Sequence, residues 1–149
     1  MKAVVQRVSR AEVRALGTTA GQIGRGMVIF LCVVEGDTEA CARSFAERVA
    51  RFRFFEDDAG KMNLSAIDTG AAALVISQFT LAADGKKGRR PSFDKAARPE
   101  VARPLYELFA QTLQDFGLTV ARGVFGEHMD VECVGDGPVT FSLEENPAT

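Results

Sequence analysis

The first third of the chain alternates apolar and polar residues with the period of an antiparallel strand. Side chains 3, 5 and 7 fall on one face of such a strand, and side chains 4, 6 and 8 fall on the other. The alternation resumes at residues 13–16 and ends at Gly17, a residue type typical of turns. With a short return strand near residues 22–23, the pattern predicts a β-hairpin.

Continuous apolar runs at residues 27–34 and 71–79 predict two core strands, the first of them buried on both faces. Catalytic and binding residues often lie where such a strand ends, so residues 77–79 are candidates for a functional site. Three short strands are predicted near the carboxyl terminus, at 119–124, 129–134 and 138–143. The tail, residues 144–149, is expected to fray.

Two apolar stripes recur at helical spacing and predict amphipathic helices that pack on the sheet. Asp37 and Thr38 are suited to cap the first helix, and Pro99 suits the first turn of the second. Gly117 is suited to end the second helix, while Pro104 is expected to bend or restart it. The stripes consist of Ala42, Phe45, Ala46, Val49 and Phe52, and of Leu105, Leu108, Phe109, Thr112, Leu113 and Phe116.

Length and composition predict one globular domain covering residues 1–149. Apolar residues make up 46% of the chain and charged residues 26%, which is the balance of an ordinary soluble domain. Apolar runs stay well short of the ~20 residues that a membrane span needs. The first residues lack the apolar region of a secretory leader, so a cytoplasmic location without a membrane partner is expected.

The residue inventory limits the chemistry. Cys32, Cys41 and Cys133 form no CxxC pair, and reduced, buried thiols are the better interpretation than a catalytic cysteine. The single histidine, His128, is interpreted as a turn residue rather than a general base. No metal-ligand cluster or nucleotide-binding glycine motif is present in the sequence, so no metal and no cofactor are expected.

Hydroxyl groups remain as candidates, and they concentrate in two segments. Residues 77–81 (SQFTL) carry Ser77 and Thr80, and residues 137–140 (GPVT) carry Thr140. If strand alternation continued through the first segment, Ser77 and Phe79 would face one side and Gln78 and Thr80 the other. Ser77 and Thr80 therefore need not act together.

A basic run stands out against the net charge of −2. Glycine and proline mark the run as a loop, and it is either a solvated loop or a site that binds a phosphate backbone. Its cations are Lys86, Lys87, Arg89 and Arg90.

The two hydroxyl-bearing segments resemble the signature motifs of the D-aminoacyl-tRNA deacylases, enzymes that free tRNA from wrongly attached D-amino acids. The likeness is nearly end to end. It includes residues 5–9 (VQRVS), 61–65 (KMNLS), 87–93 (KGRRPSF) and Phe125-Gly126 with Met129. The resemblance implies an α+β fold with layers of mixed, largely antiparallel sheet and both amphipathic helices on one side. It also implies a homodimer with its active sites at the subunit interface.

The resemblance further implies a reaction, namely hydrolysis of the ester between a D-amino acid, or glycine, and the terminal adenosine of tRNA. This proofreading step needs no metal. The backbone N–H groups of Phe79 and Thr80 are implied to hold the oxyanion, within a catalytic segment that also includes Ser77 and Gln78. Water would be activated either by Thr80 or, as the resemblance favours, with help from the 2′-hydroxyl of the terminal ribose.

In the resembled family, Gly137-Pro138 is a cis dipeptide that enters the active site of the other subunit and excludes L-amino acids. Arg7 would brace the loop of this second motif. Phe125 and Met129 would receive the adenine, although buried core roles are the common alternative for such residues. Lys86, Lys87, Arg89 and Arg90 would contact the acceptor stem of the tRNA.

One position departs from the family pattern, because Gly135 stands where asparagine is usual. Glycine lacks side-chain hydrogen bonds, so the second motif is expected to be held less rigidly. Two alternative functions are also consistent with the sequence. One is a nucleic-acid-binding protein of the same fold that has lost activity, and the other is an editing enzyme with altered chiral selectivity.

Overall fold

A computed structural model describes residues 1–147 of the chain. Within that range the strands are β1 (Lys2–Ala15), β2 (Thr18–Ile23), β3 (Gly26–Cys32), β4 (Phe55–Glu56), β5 (Met62–Leu64), β6 (Ala72–Ser77), β7 (Val120–Arg122) and β8 (Asp130–Glu144). The α-helices are α1 (Glu39–Arg51), α2 (Ala66–Thr69) and α3 (Pro99–Asp115), and a 3₁₀-helix spans Phe79–Ala82. The predicted hairpin, the core strands and both amphipathic helices are confirmed.

Six strands form one mixed sheet in the order β2-β1-β3-β6-β7, with β8 paired to β1. Strand β8 runs antiparallel along nearly the whole of β1, so β2 and β3 share the other edge of that long strand. Strands β3, β6 and β7 are parallel neighbours. A Cβ atom at Gly21 would lie 2.8 Å from the carbonyl oxygen of Arg122. This close approach of β2 to β7 shows that the sheet curls toward a barrel.

The two faces of the curled sheet bury separate apolar clusters. On one face Ile29 and Val75 pack against α1 and α3, where the Phe45 and Phe109 rings meet edge to face with centroids 5.8 Å apart. On the inner face, Val8, Val28 and Leu74 pack with further strand residues. The helices therefore cover one side of the sheet, which confirms the layered, mixed α+β fold predicted above.

The caps of the helices follow the sequence with one correction. The Thr38 hydroxyl accepts a hydrogen bond from the Cys41 backbone N–H and caps α1, and Gly117 has the left-handed φ of 91° that suits it to follow α3. Asp37 does not cap the helix, because its carboxylate binds the buried Met1 ammonium at 2.8 Å. Helix α3 runs without a restart through Pro104, since its packing on the sheet outweighs one lost hydrogen bond.

The last two predicted strands are one continuous strand, β8, with an irregularity in the middle. Gln6 pairs with Thr140 and Val8 pairs with Gly135, so the single residue Arg7 faces four residues, 136–139. Glycine and proline there form a bulge rather than a turn, because the flanking residues keep their pairing to β1.

The carboxyl-terminal tail is held for longer than the sequence predicts. Glu144 is the last residue of β8, and the Glu145 carbonyl accepts a hydrogen bond from the Met1 ammonium at 2.6 Å. Arg48 also binds the Glu145 carboxylate at 2.9 Å. The predicted start of fraying at residue 144 is therefore too early, and residues 148–149 of that tail lie outside the described residues.

Candidate active site

A cavity of about 630 Å³ opens where the parallel strands β3 and β6 end. Ser77, Gln78 and Phe79 of the first motif line it, together with Phe125 and Met129 from the segment between β7 and β8. These five residues were predicted to belong to the site, and the structure brings them together around one cavity. The carboxyl ends of neighbouring parallel strands are the usual place for such a crevice in an α/β sheet.

The first motif changes conformation within the cavity wall. Strand β6 ends at Ser77, and the Gln78 N–H still donates to the Leu31 carbonyl at 2.8 Å before the 3₁₀-helix begins. The predicted alternation of faces therefore stops at Ser77. The Gln78 side-chain amide donates to the Thr80 hydroxyl at 2.5 Å, while Thr80 itself is exposed and does not line the cavity.

The backbone N–H groups of Phe79 and Thr80 are the first two of the 3₁₀-helix and so have no acceptor within it. The Phe79 carbonyl points toward the Cys32 thiol, whose Sγ lies 3.6 Å away. Because the C=O and N–H of one trans peptide unit point in opposite directions, the Thr80 N–H points away from Cys32. The segment thus presents the Thr80 backbone N–H on the side away from Cys32.

Two aromatic residues that sequence analysis did not assign complete the cavity wall. The Phe93 ring packs edge to face on Phe79 with centroids 5.1 Å apart, and the Tyr106 ring lies 5.7 Å from Phe125. The Tyr106 hydroxyl donates to the Val75 carbonyl at 2.8 Å. Burial raises the pKa of Tyr106 to about 12, so this donor keeps its proton at neutral pH. The sequence did contain a signal for each residue, because Phe93 ends one of the family-like segments and Tyr106 adjoins the apolar stripe of α3.

The second motif lies elsewhere, in the bulge of β8. The Gly137–Pro138 peptide bond is cis, as the family resemblance implies, and both residues are exposed. Arg7 is only 5% exposed, and its Nε donates to the Asp136 carbonyl at 3.0 Å while Nη1 donates to the Phe54 carbonyl at 2.9 Å. The guanidinium thus ties the bulge to the chain that leads into β4.

Within one chain the two motifs do not meet. Among the described residues that line the cavity, Arg7, Gly137 and Pro138 are absent. The bulge instead projects into solvent, although it is held firmly at its base by Arg7.

The basic loop forms a protruding segment whose neck is closed by an isolated bridge. The backbone N–H groups of Asp84 and Ser92 each donate to the other residue's carbonyl at 2.8 Å. All four cations beyond the neck are exposed, and within residues 1–147 none of them forms a salt bridge. They are Lys86, Lys87, Arg89 and Arg90.

The remaining reactive side chains are poorly suited to start the chemistry. Burial raises the pKa of the Cys32 thiol and that of Cys133, which keeps both protonated at neutral pH. His128 lies at the cavity wall, but its side chain is 94% exposed and its Nε2 is 3.8 Å from the Asp130 carboxylate. Residues 1–147 contain no group of three or more potential metal ligands. No helix in that range has the length and apolarity to cross a bilayer.

Gly135 lies in β8 and pairs with Val8 of β1. A Cβ atom built on Gly135 meets nothing within 4 Å. We expect Gly135→Asn to leave stability unchanged or to raise the free energy of unfolding by up to about 0.5 kcal/mol, because the unfolded chain loses freedom. Urea denaturation of the two proteins measures the difference. A loss above about 1 kcal/mol would show that the bulge needs glycine at this position.

Comparisons with known proteins agree with this architecture. The chain matches the family described as D-Tyr-tRNA(Tyr) deacylase over residues 4–144. It is 54% identical over 144 residues to a D-aminoacyl-tRNA deacylase of Thermomicrobium roseum, covering 97% of this chain and 94% of the relative. The corresponding protein of Geobacter sulfurreducens is 51% identical, with 97% of this chain and 95% of the relative covered.

Solved structures show the same fold. A protein named c-Myc DNA Unwinding Element Binding Protein superimposes with a TM-score of 0.91 at 38% identity, covering 99% of this chain and 100% of that one. A probable eukaryotic D-amino acid tRNA deacylase has a TM-score of 0.85 at 15% identity, with 95% and 97% covered, and supports the fold alone. Fold and relatives together place the chain among the hydrolases. It belongs to the D-aminoacyl-tRNA deacylase family.

Proposed function

We propose that this protein hydrolyses the ester that joins a D-amino acid, or glycine, to the terminal adenosine of tRNA. The observation that carries the proposal is the cavity at the end of β6. There Phe79 lines the same cavity as the aromatic and sulfur-containing wall of Phe125 and Met129. A wall of that kind suits a purine base, and backbone donors suit an ester carbonyl. The names of the relatives above indicate the same substrate class.

The catalytic step rests on backbone rather than on an ionisable side chain. The N–H groups of Phe79 and Thr80 are free of partners within their helix and form the oxyanion hole at the edge of the cavity, which Phe79 lines and which Thr80 follows directly in the chain. Removing one donor of this kind from an enzyme typically costs about 3–4 kcal/mol of transition-state stabilisation. The ester of an aminoacyl-tRNA is already activated, so a positioned water and these donors are sufficient.

The water is activated with help from the 2′-hydroxyl of the terminal ribose. Support comes from the side chains near the first motif. Burial raises the pKa of the Cys32 thiol, which lies 3.6 Å from the Phe79 carbonyl and so stays protonated, and the Thr80 hydroxyl already receives a hydrogen bond from Gln78. Thr80 is the alternative base, although its side chain does not line the cavity.

Thr80→Ala is therefore expected to keep kcat within about fivefold of the parent value, because the Thr80 backbone N–H survives the change. A substrate whose terminal adenosine lacks the 2′-hydroxyl is expected to react at least about a hundredfold more slowly. Rates of amino acid release from matched D-tyrosyl-tRNA substrates measure both effects. Normal cleavage of the 2′-deoxy substrate would overturn substrate assistance.

Chiral selection is assigned to Gly137-Pro138 of a partner subunit in a homodimer. Three features support this assignment: the bulge is exposed, it lies away from the cavity of its own chain, and Arg7 fixes its base. Two backbone carbonyls in a fixed bulge can accept the substrate's α-ammonium and leave no room for an L side chain. Glycine carries no side chain to exclude, so glycyl-tRNA is a substrate on the same account.

The basic loop is assigned to the acceptor stem of the tRNA. Its four exposed cations, Lys86, Lys87, Arg89 and Arg90, carry no salt bridge within residues 1–147 and are free to contact phosphates. The reaction is placed in the cytoplasm, where charged tRNA is used.

A second candidate function is nucleic-acid binding without hydrolysis. The solved relative named for a DNA unwinding element favours it, at 38% identity. Incubation of purified protein with D-tyrosyl-tRNA separates the candidates. Release of D-tyrosine over multiple turnovers would support the deacylase. Binding to DNA or tRNA without release of D-tyrosine at any enzyme concentration would refute the deacylase and support the second candidate.

A further inference from the structure

Arg103 on helix α3 lies against the aromatic wall of the cavity. Its Cζ atom is 5.6 Å from the centroid of the Phe125 ring, a distance typical of a cation–π contact. Ala102 and Tyr106, its neighbours along α3, line the cavity itself. The guanidinium therefore sits at the rim, beside the ring to which the proposed function assigns the adenine.

The charge of Arg103 is only weakly engaged by other groups of the protein. Its Nε lies 3.8 Å from Glu107 Oε1, and the two side chains are 59% and 57% exposed. An exposed pair at this distance contributes little, and its partner is readily exchanged for a stronger anion. The contact with Phe125 meanwhile keeps the planar group near the cavity.

We propose that Arg103 binds the 5′-phosphate of the nucleotide whose base packs on Phe125. This inference rests on the proposed function. A base and its own 5′-phosphate are separated by one ribose, and a guanidinium already held against the same ring lies within that span. The planar fork of arginine can bind two phosphate oxygens at once. Glu127 also lines the cavity and would repel a phosphate, so a cation at the rim offsets that repulsion.

The chain contains a matched control for this site. Arg51 on α1 stacks on Phe116 at 5.4 Å and pairs with Glu47 at 3.0 Å, and these two charged side chains are 60% and 51% exposed. Arg51 thus repeats the arrangement of an arginine, an aromatic ring and a glutamate four residues away. None of these three residues lines the cavity.

Binding of two small ligands tests the proposal by isothermal titration calorimetry. The ligands are adenosine and its 5′-(methyl phosphate), which carries one phosphodiester charge as tRNA does. We expect the full-length parent protein to bind the phosphate compound about fivefold to tenfold more tightly than adenosine. Arg103→Gln is expected to make the two affinities equal within about twofold, while Arg51→Gln keeps the parent ratio.

The ratio of the two affinities removes any effect of Arg103→Gln on stacking, because both ligands carry the same base. A parent protein that binds the two ligands equally, or that fails to bind adenosine, would overturn the proposal. An unchanged ratio in Arg103→Gln would also overturn it, as would an equal loss in Arg51→Gln.

Hydrolysis of D-tyrosyl-tRNA by the same preparations separates this inference from the proposed function. Arg103→Gln is expected to raise KM about fivefold with kcat unchanged, since the phosphate contact is the same in ground and transition states. A phosphate preference that depends on Arg103, without any hydrolysis, would support the binding site and refute the deacylase. Hydrolysis of D-tyrosyl-tRNA without that phosphate preference would support the deacylase and refute the phosphate site at Arg103.

Discussion

Replacing Gly137 with alanine is expected to lower kcat/KM for D-aminoacyl-tRNA by about a hundredfold, a loss typical of a catalytic geometry displaced by one ångström. The φ of Gly137 is +147°, and a Cβ atom built there lies 2.5 Å from the Val139 nitrogen and 2.8 Å from its Cγ2 atom. The backbone must move to accept the methyl group. That movement shifts the two carbonyls that are proposed to receive the α-ammonium of the substrate.

Gly135→Ala is the matched control, because the same methyl group at position 135 meets nothing within 4 Å. Both variants are measured by D-tyrosine release under single-turnover conditions, beside their urea denaturation curves. A Gly137→Ala protein with activity within about threefold of the parent would remove the second motif from the active site.

The second large effect is expected at Arg7, where Arg7→Lys should lower kcat/KM by about tenfold to a hundredfold and stability by roughly 2 kcal/mol. One ammonium cannot reach both carbonyls that the fork of Arg7 binds, those of Asp136 and Phe54. A buried carbonyl is then left without its donor, and the bulge loses its tie to the neighbouring chain. Steady-state kinetics and urea denaturation measure the two losses separately.

Arg10→Lys provides the control on the same strand, since Arg10 is exposed and pairs with Glu132 at 3.0 Å. Exposed pairs contribute little, so both activity and stability should stay close to the parent values. If Arg7→Lys lost stability but kept full kcat/KM at a temperature where it is folded, the role of Arg7 would be structural only.

Local sequence signals were sufficient for the parts of the fold that local interactions determine. The alternation in β1, the apolar run of β3 and the capping residues of α1 and α3 each predicted the element that the structure contains. The pairing of strands that are far apart in the sequence could not be predicted from these local signals. Gly135 and Pro138 have turn propensity, yet β1 pairs with β8 on both sides of them and turns a predicted break into a bulge.

The residues of the candidate site also separate into those that a local sequence pattern predicted and those that it did not. The hydroxyls at the end of a buried strand made Ser77 and Thr80 candidates, and the structure places Ser77 but not Thr80 at the cavity. Phe79, which also lines the cavity, was a candidate through family resemblance. Phe93 and Tyr106 reach the cavity from a loop and from helix α3. One ends a family-like segment and the other adjoins the apolar stripe of α3, but neither feature by itself predicts contact with the end of β6. The roles of Phe125 and Met129 were predicted from family resemblance, because a single aromatic or methionine residue is more often part of the hydrophobic core.

The most direct test of the central claim is hydrolysis of D-tyrosyl-tRNA and L-tyrosyl-tRNA by one preparation of the purified protein under single-turnover conditions. A backbone site that excludes L side chains predicts release of D-tyrosine at least about a hundredfold faster than release of L-tyrosine. Equal rates for the two substrates, or no release of D-tyrosine, would contradict the account.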